Sequence, residues 1–214
     1  MSRFLPGVGE TPYELAGAGA YWSRRGAVFL GRLLGRLWPV PKLNAGRVTV
    51  RVRRASDLNP IRRAAIRVWL AWVHSWRTRW ASFDWYVSVH TGSRLVSVAG
   101  VVDRAGTVGG VPTRLGLLGG VFTIPELRQR GLASDVVRRA TRLMADDLGC
   151  EFGILICGDG LVPFYQRLGW KRASNVMTFE RFGRRGFVGT NVMIYECAGR
   201  PLPAGSIDVR GLPA

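Results

Sequence analysis

Cysteine, histidine and lysine are scarce in this sequence of 214 residues, which has three cysteines, two histidines and two lysines. The cysteines, Cys150, Cys157 and Cys197, are odd in number and widely spaced, so they indicate neither a disulfide framework nor a zinc site. We therefore expect reduced, mostly buried thiols in a cytoplasmic protein without a metal. No apolar run approaches the ~20 residues that span a bilayer, which predicts a soluble or peripheral protein.

Acidic residues are also few, and the chain is strongly basic. It has 31 Lys and Arg against 14 Asp and Glu, a formal net charge of +17. Residues 1–90 hold 15 of the basic and 4 of the acidic residues, so the first part is the more basic. Such a surface attracts anions, for example an anionic membrane, an acidic carrier protein or a phosphorylated cofactor. Because no RNA-binding aromatic motif, zinc finger or helix-turn-helix pattern is present, we do not expect nucleic acid as the primary partner.

The length and a hydrophobic content of 47% favour one globular domain at residues 47–214, preceded by a basic extension at residues 1–46. Within the extension, residues 21–38 have helical periodicity, with arginines on one side and a leucine-rich face opposite. This amphipathic helix could contact an anionic membrane, act as a targeting segment, or pack on the domain that follows.

Hydrophobic periodicity predicts a mixed set of strands and helices in the domain. Valines alternate with arginines from Arg47 to Arg53, which is the period of a half-buried strand. An apolar stripe rich in tryptophan predicts a helix from Pro60 to Trp80. A strand ending near Thr123 holds three glycines, which predicts a bulge or the close approach of another molecule to the backbone. The other predicted elements are strands at 84–90, 95–102, 113–123, 152–157, 176–182 and 190–196, helices at 131–147 and 161–168, and turns at 91–93 and 105–110.

The segment from Gly119 to Ser134 carries the clearest chemical signal. It joins the end of a predicted strand to the first turn of a predicted helix, where free backbone N–H groups and the helix dipole favour an anion. Arg128 and Arg130 add two cations there, and Gly131 is small where a pyrophosphate would approach the backbone. The pattern is neither the GxGxxG of a dinucleotide fold nor the GxxxxGK of a P-loop. The sequence therefore predicts a phosphate site of another kind.

Two motifs resemble those of the GCN5-related N-acetyltransferases (GNATs). Residues 128–133 read Arg-Gln-Arg-Gly-Leu-Ala, which fits the family's acetyl-CoA signature Q/R-x-x-G-x-G/A. Further along, the strand at 153–157 and the stretch from Tyr165 to Trp170 resemble the family's second motif, a tyrosine followed closely by glycine and an aromatic residue. The resemblance covers residues 47–197.

Within the family, the sequence looks most similar to aminoglycoside 2'-N-acetyltransferase-like and nodulation N-acyltransferase-like members, whose Pro- and Gly-rich ending resembles residues 201–214. One departure is that the first subgroup has an acidic residue on the fourth strand, where this chain has Gly119 at or beside that place. A protein of net charge +17 is also a poor host for a polycationic aminoglycoside.

The resemblance implies an α/β (α+β) fold. Its sheet would be mixed, mostly antiparallel and of about six to seven strands, splayed between the fourth and fifth strands, with helices on both faces. It also implies acetyl-CoA, or another acyl-CoA, as co-substrate. The residues so implied are Val121, Phe122 and Thr123 for the pantetheine and Arg128, Gln129, Arg130, Gly131, Leu132, Ala133 and Ser134 for the pyrophosphate.

The catalytic groups are also implied by the resemblance. Tyr165 would be the general acid that protonates the leaving thiolate, and Asp159 would bind or deprotonate the amine. Glu126, His90 or a chain of waters are the alternatives for the base. Cys157 could serve as a nucleophile, but direct transfer does not need an acylated cysteine.

The implied function is transfer of an acetyl group from acetyl-CoA to a primary amine of a small molecule by direct attack. Three alternatives stay open: an acyltransferase whose longer or carrier-bound donor docks through the arginine-rich surface, a noncatalytic CoA-binding module, and a basic protein of this fold that associates with a membrane through residues 21–38 or with nucleic acid. A homodimer is compatible with each of them. The fold alone does not identify the acceptor.

Overall fold

A large part of the predicted domain can be described in the computed structural model. The predicted extension at residues 1–46 and most of the predicted helix from Pro60 to Trp80 lie outside the described residues, so the division into extension and domain stays a prediction. The residues that the structure describes are 48–60, 63–64, 66, 81–92 and 94–214.

Ten strands and two complete α-helices lie in the described part, where residues 60, 63, 64 and 66 are also helical. None of the helices described there is long and apolar enough to cross a membrane. The strands are β1 (Val48–Arg54), β2 (Trp85–Thr91), β3 (Arg94–Val108), β4 (Val111–Thr123), β5 (Phe152–Cys157), β6 (Lys171–Arg172), β7 (Met177–Arg181), β8 (Arg184–Phe187), β9 (Asn191–Tyr195) and β10 (Ile207–Asp208). The helices are α1 (Leu132–Arg142), continued by a π-helical turn at Leu143–Asp147, and α2 (Val162–Gln166), with 3-10 turns at Pro125–Leu127 and Asp159–Leu161.

All ten strands belong to one mixed sheet that branches at β3. The order is β6-β9-β5-β4-β3-β10-β7-β8, and β2 and then β1 are attached to β3 as a second branch. The first part of β3 pairs with β2, whereas Thr107 and Val108 pair with β10. The predicted count of six to seven strands is therefore too low. The additional strands β6, β8 and β10 have only two to four residues, which is too short for hydrophobic alternation to indicate them.

The turn after β3 is tighter than predicted. Instead of a glycine-rich turn over residues 105–110, β3 continues to Val108 and the chain reverses at Gly109 and Gly110, both with positive φ. Gly106 belongs to the strand because β10 approaches it closely: a Cβ placed on Gly106 would lie 2.5 Å from the carbonyl oxygen of Asp208. Gly106, which indicated a turn in the sequence, thus allows the backbones of β3 and β10 to lie close together.

The parallel pairing between β4 and β5 is short. It runs from Leu115 to Leu117 on β4 and from Phe152 to Ile154 on β5. Both strands continue beyond these residues, β4 to Thr123 and β5 to Cys157, without pairing to one another. The sheet thus opens between its fourth and fifth strands.

Apolar clusters cover both faces of the sheet. On one face, α1 and α2 pack on β2, β3 and β5, around residues such as Val87, Val101 and Tyr165. On the other face, Ile66 from the predicted helix packs with Tyr86 and Val98. Further along that second face, β7, β10 and the chain after them form a second cluster with β4 and β5; its buried residues include Leu115, Leu117, Phe152, Ile154, Met177, Phe179, Ile207 and Val209.

Gly106→Ala tests the junction of β3 and β10. The new methyl group would collide with a backbone oxygen and with Leu115 Cδ1, so we expect a loss of about 1–3 kcal/mol in the free energy of unfolding, measured by urea denaturation. Gly158→Ala is the matched control, because Gly158 has φ −74° and nothing lies within 4 Å of a Cβ there. Equal effects of the two substitutions would contradict the assignment.

Candidate active site

A β-bulge interrupts β4 where the sheet opens. Gly100 of β3 lies opposite Gly119, and Val98 lies opposite Phe122, so β4 has one residue more than β3 over this stretch. Gly120 has φ +59°, the left-handed conformation that a bulge with glycine at its first position requires. The bulge expected from the glycines of this strand is therefore present. It alters the backbone direction at Gly120 and Val121, on a part of β4 that β5 does not pair with.

Side chains from β3 and from the loop after β4 fix the end of β4. Ser97 Oγ donates a hydrogen bond to the carbonyl oxygen of Phe122 (3.0 Å) and lies 2.8 Å from Thr123 Oγ1. Arg128 Nε donates to the carbonyl oxygen of Thr123 (3.2 Å), and its guanidinium carbon lies 5.9 Å from the centre of the Phe122 ring. Arg128 is thus held against the strand end. Ser97 was not predicted, because its role depends on strand pairing and not on a local motif.

The loop at residues 128–131, which joins the 3-10 turn to α1 and which we call the anion loop, has a backbone that suits an anion. Gln129 and Gly131 both have positive φ, +60° and +81°, and Gly131 is the N-cap residue directly before α1. Nothing among the described residues lies within 4 Å of a Cβ placed on Gly131, so crowding does not require glycine here. The positive φ favours glycine instead.

The first turn of α1 leaves backbone donors available. Its first helical hydrogen bond runs from Asp135 N to the carbonyl oxygen of Gly131 (3.0 Å), so the three preceding N–H groups have no acceptor within the helix. No described side chain caps them. Arg128 and Arg130 are exposed beside them. Donors, helix dipole and guanidinium groups together suit a phosphate. The three N–H groups belong to Leu132, Ala133 and Ser134.

Tyr165 lies on α2 in a row of aromatic rings. It is buried, and its ring makes edge-on contacts with Phe164 (centroids 4.9 Å apart) and Trp170 (6.3 Å). Burial raises the pKa of the Tyr165 phenol above its usual value near 10, and the neighbouring Cys157 raises it further. The phenol is therefore fully protonated at neutral pH and can donate a proton or a hydrogen bond.

Asp159 lies just past the end of β5 and is exposed. Asn191, buried at the start of β9, donates from Nδ2 to Asp159 Oδ1 (2.8 Å) and to the carbonyl oxygen of Cys157 (3.2 Å). The carboxylate is thus tied to the strand next to β5 while the rest of it faces solvent. Asn191 has no motif in the sequence, and only the pairing of β5 with β9 brings it here.

Cys157 ends β5 as a thiol rather than a thiolate. Burial raises its pKa to about 11, and the negative charge of Asp159 adds to that effect. Because the thiolate is the nucleophilic form, this cysteine is poorly suited to carry an acyl group at neutral pH.

The other two candidates for the base, Glu126 and His90, lie on different elements from Asp159. Glu126 is exposed in the 3-10 turn before the anion loop. His90 follows Val89, which pairs with Ser97, so it lies at the same end of the sheet as Thr123; its Nε2 is 3.1 Å from Ser88 Oγ. Among the residues described, no group of three His, Cys, Asp or Glu could hold a metal ion.

The position of Gly119 explains why a carboxylate is missing there. A Cβ on Gly119 would lie 2.5 Å from the carbonyl carbon of Ala214 and 3.2 Å from the Phe83 ring. The segment ending in Ala214 is held by a hydrogen bond from Ala81 N to the carbonyl oxygen of Pro213 (2.8 Å). A side chain at position 119 would therefore have no room.

The cysteines predict a pH dependence of stability. Burial raises the pKa values of Cys150, Cys157 and Cys197 to about 12, 11 and 11, so these thiols ionise first in the unfolded chain, near pH 8.5. The free energy of unfolding should therefore fall as the pH rises from about 9 toward 11, by at most about 1.4 kcal/mol per pH unit for each fully buried thiol. Urea denaturation across this range measures the slope, which should be shallower in Cys157→Ala; an unchanged slope would contradict the burial of this thiol.

Comparison with known proteins agrees with this geometry. Residues 62–173, more than half of the chain, match the family model described as an acetyltransferase (GNAT) domain. No curated protein is similar enough in sequence to match.

Several solved structures share the fold at low identity. The GNAT family N-acetyltransferase YhbS from Escherichia coli, in complex with CoA, has a TM-score of 0.55 and 15% identity, with 78% of this chain and 96% of that chain covered. ElaA from Escherichia coli has a TM-score of 0.52 and 14% identity, with coverage of 70% and 100%. An acyl-CoA N-acyltransferase from Pseudomonas aeruginosa has a TM-score of 0.50 and 13% identity, with coverage of 69% and 99%.

These matches do not indicate the aminoglycoside or nodulation subgroup. The solved structures support the fold, and the family model rests on the sequence itself. Because that model spans both the bulged strand and the anion loop, the chain belongs to the GNAT acetyltransferase family.

Proposed function

We propose that this protein transfers an acetyl group from acetyl-CoA to a primary amine of a small molecule, by direct attack of the amine. The observation that carries the proposal is the sequence of features along one stretch of chain: a bulged strand with an open edge, followed at once by an anion loop and a helix N-terminus. The strand edge suits an amide-containing chain, and the loop suits a pyrophosphate.

The donor side is formed mainly by backbone groups. The edge of β4 at Val121, Phe122 and Thr123 would pair with the amides of the pantetheine arm as a further strand would, and a backbone N–H at the bulge would polarise the acyl carbonyl. The N–H groups at the start of α1, with Arg128 and Arg130, would hold the pyrophosphate. When bound, acetyl-CoA supplies the thioester that acts as acyl donor.

Two side chains are proposed for proton transfer. Tyr165, which is protonated at neutral pH, would give its proton to the departing sulfur. Asp159 would bind the ammonium group of the acceptor or take its proton, with a chain of waters as the other route to solvent. The high pKa of Cys157 favours this direct route over a route through an acylated cysteine.

Charge restricts the acceptor. A net charge of +17 disfavours polycationic amines, so aminoglycosides are poor candidates in spite of the subgroup resemblance. An acceptor with one amine and with neutral or acidic groups elsewhere is compatible with the surface.

Calorimetric titration with acetyl-CoA tests the donor site. The double variant Arg128→Ala, Arg130→Ala should lose at least about tenfold in affinity, because each guanidinium contributes a charge-assisted hydrogen bond. The matched control is Arg138→Ala, Arg142→Ala, which removes the same charge from exposed positions on α1. Moderate salt screens nonspecific attraction.

The titration also separates the alternatives. No binding to the folded protein would refute the acetyl-CoA site and favour a carrier-bound donor. Equal losses in both double variants would show that net charge alone attracts the ligand. Binding without thiol release for any amine would indicate a noncatalytic CoA-binding module.

Tyr165→Phe tests the general acid. The change removes one oxygen and keeps the ring contacts, so we expect kcat to fall about 100-fold or more while KM for acetyl-CoA stays within about threefold. Thiol release in steady state measures both constants. A variant with kcat within about threefold of the wild type would show that the tyrosine only packs.

A further inference from the structure

We propose that a cavity beside the β7–β8 turn binds the acceptor, and that the acceptor is a primary amine whose other end carries a flat ring and a carboxylate. This inference rests on the proposed function, because it names the acceptor of the same reaction. It follows from a strained aromatic residue, an arginine that lines the cavity beside it, and the position of the cavity along the chain.

The turn between β7 and β8 exposes a phenylalanine in an unfavourable conformation. Arg181 and Arg184 are paired, so the turn consists of Phe182 and Gly183 alone, with φ +52° and +70°. Turns of this kind favour Asn, Asp or Gly at the first position, because a left-handed backbone crowds a larger side chain. Phe182 is nevertheless there, and 72% of it is exposed. Strain combined with an exposed ring points to a role in binding.

Arg181 brings a donor to the same place. Its guanidinium carbon lies 5.3 Å from the centre of the Phe182 ring, which orients the side chain. Arg181 Nε is buried and has no hydrogen-bond partner among the described residues. Arg181 is also one of the residues that line the cavity, so its guanidinium group can donate hydrogen bonds to an anionic oxygen bound there.

The cavity has the size of a small-molecule site. Its volume is about 370 Å³, and its walls are Glu180, Arg181, Phe182, Gly211 and Leu212. A hydrogen bond from Glu180 N to the carbonyl oxygen of Gly211 (3.2 Å) joins the two sides. Arg181, the Phe182 ring and the aliphatic Leu212 are among these walls, and together they suit a ligand that has a carboxylate and a ring.

The cavity lies close to the bulged strand. Its wall residue Leu212 is followed by the segment whose last residue, Ala214, contacts Gly119, next to the bulge at Gly120. Two residues separate Gly211 from Ala214, so the three Cα–Cα steps between them span at most ~11 Å. One molecule of dipeptide size could therefore place its ring and carboxylate in the cavity and its amine toward the end of β4.

Binding of two matched probes tests the cavity. Glycyl-phenylalanine has an amine at one end and a ring with a carboxylate at the other, and glycine phenethylamide lacks only the carboxylate. In calorimetry with the full chain and without acetyl-CoA, we expect the dipeptide to bind at least about tenfold more tightly. Arg181→Gln should remove this preference. Phe182→Asn, which suits the turn, should weaken both probes about two- to tenfold.

Arg184→Gln is the control for charge. It removes one arginine from the same hairpin, but Arg184 does not line the cavity, so both affinities should stay within about twofold. Equal binding of the two probes to the wild type, or an equal loss in Arg181→Gln and Arg184→Gln, would overturn the proposal.

Thiol release from acetyl-CoA with the same two probes separates this proposal from the proposed function. A higher kcat/KM for the dipeptide that Arg181→Gln abolishes supports the cavity as the acceptor site. Thiol release with both probes at equal kcat/KM refutes the cavity as the acceptor site, while the proposed acetyltransferase activity stands. Binding that depends on Arg181 but gives no thiol release refutes the acetyltransferase reaction. The ligand class proposed for the cavity would then still hold.

Discussion

Hydrogen bonding between β4 and β5 stops after three residues on each strand, although both strands continue. Backbone donors and acceptors beyond that point need other partners, because unpaired polar groups are unfavourable when water is excluded. The opening therefore provides a strand edge inside the fold, where an edge is normally covered. The bulge at Gly120 alters the direction of that edge, and the left-handed loop at Gln129 and Gly131 follows it directly. The proposed donor site is a consequence of this one interruption.

A row of aromatic rings holds the opposite side of the opening. Trp170 packs between Tyr165 and Tyr195, with centroids 6.3 and 5.7 Å away, and so joins α2 to β9. Such ring pairs contribute about 0.5–1.5 kcal/mol each beyond the area they bury. Gly153 on β5 leaves room for the indole, since a Cβ there would lie 3.0 Å from it. The orientation of the Tyr165 ring is thus determined by its packing against Phe164 and Trp170.

Local patterns predicted the elements that have enough residues to show a period. The strand at Phe152–Cys157 and the helix that begins after Gly131 are found where hydrophobic spacing predicted them, and the anion loop lies between strand and helix as its motif implied. Interactions between distant segments could not be predicted in this way. Asn191 reaches Asp159 only because β9 pairs with β5, and β10 consists of two residues that carry no pattern. The role of Gly106 also could not be predicted from its neighbours in sequence. It allows a close contact with Asp208, which is about 100 residues away in the chain, and does not form a turn.

The segment after β10 has a consequence for the order of folding. Arg104 Nη1 donates hydrogen bonds to the carbonyl oxygens of Val209 (3.3 Å) and Leu212 (2.6 Å), which are 105 and 108 residues further along the chain. Closing so long a loop has a larger entropic cost than joining β4 to α1, which are neighbours in sequence. The anion loop can therefore form while the opposite face of the sheet is still uncovered. A folding chain would acquire the backbone of its proposed phosphate site before the wall at Gly119 and the cavity next to it exist.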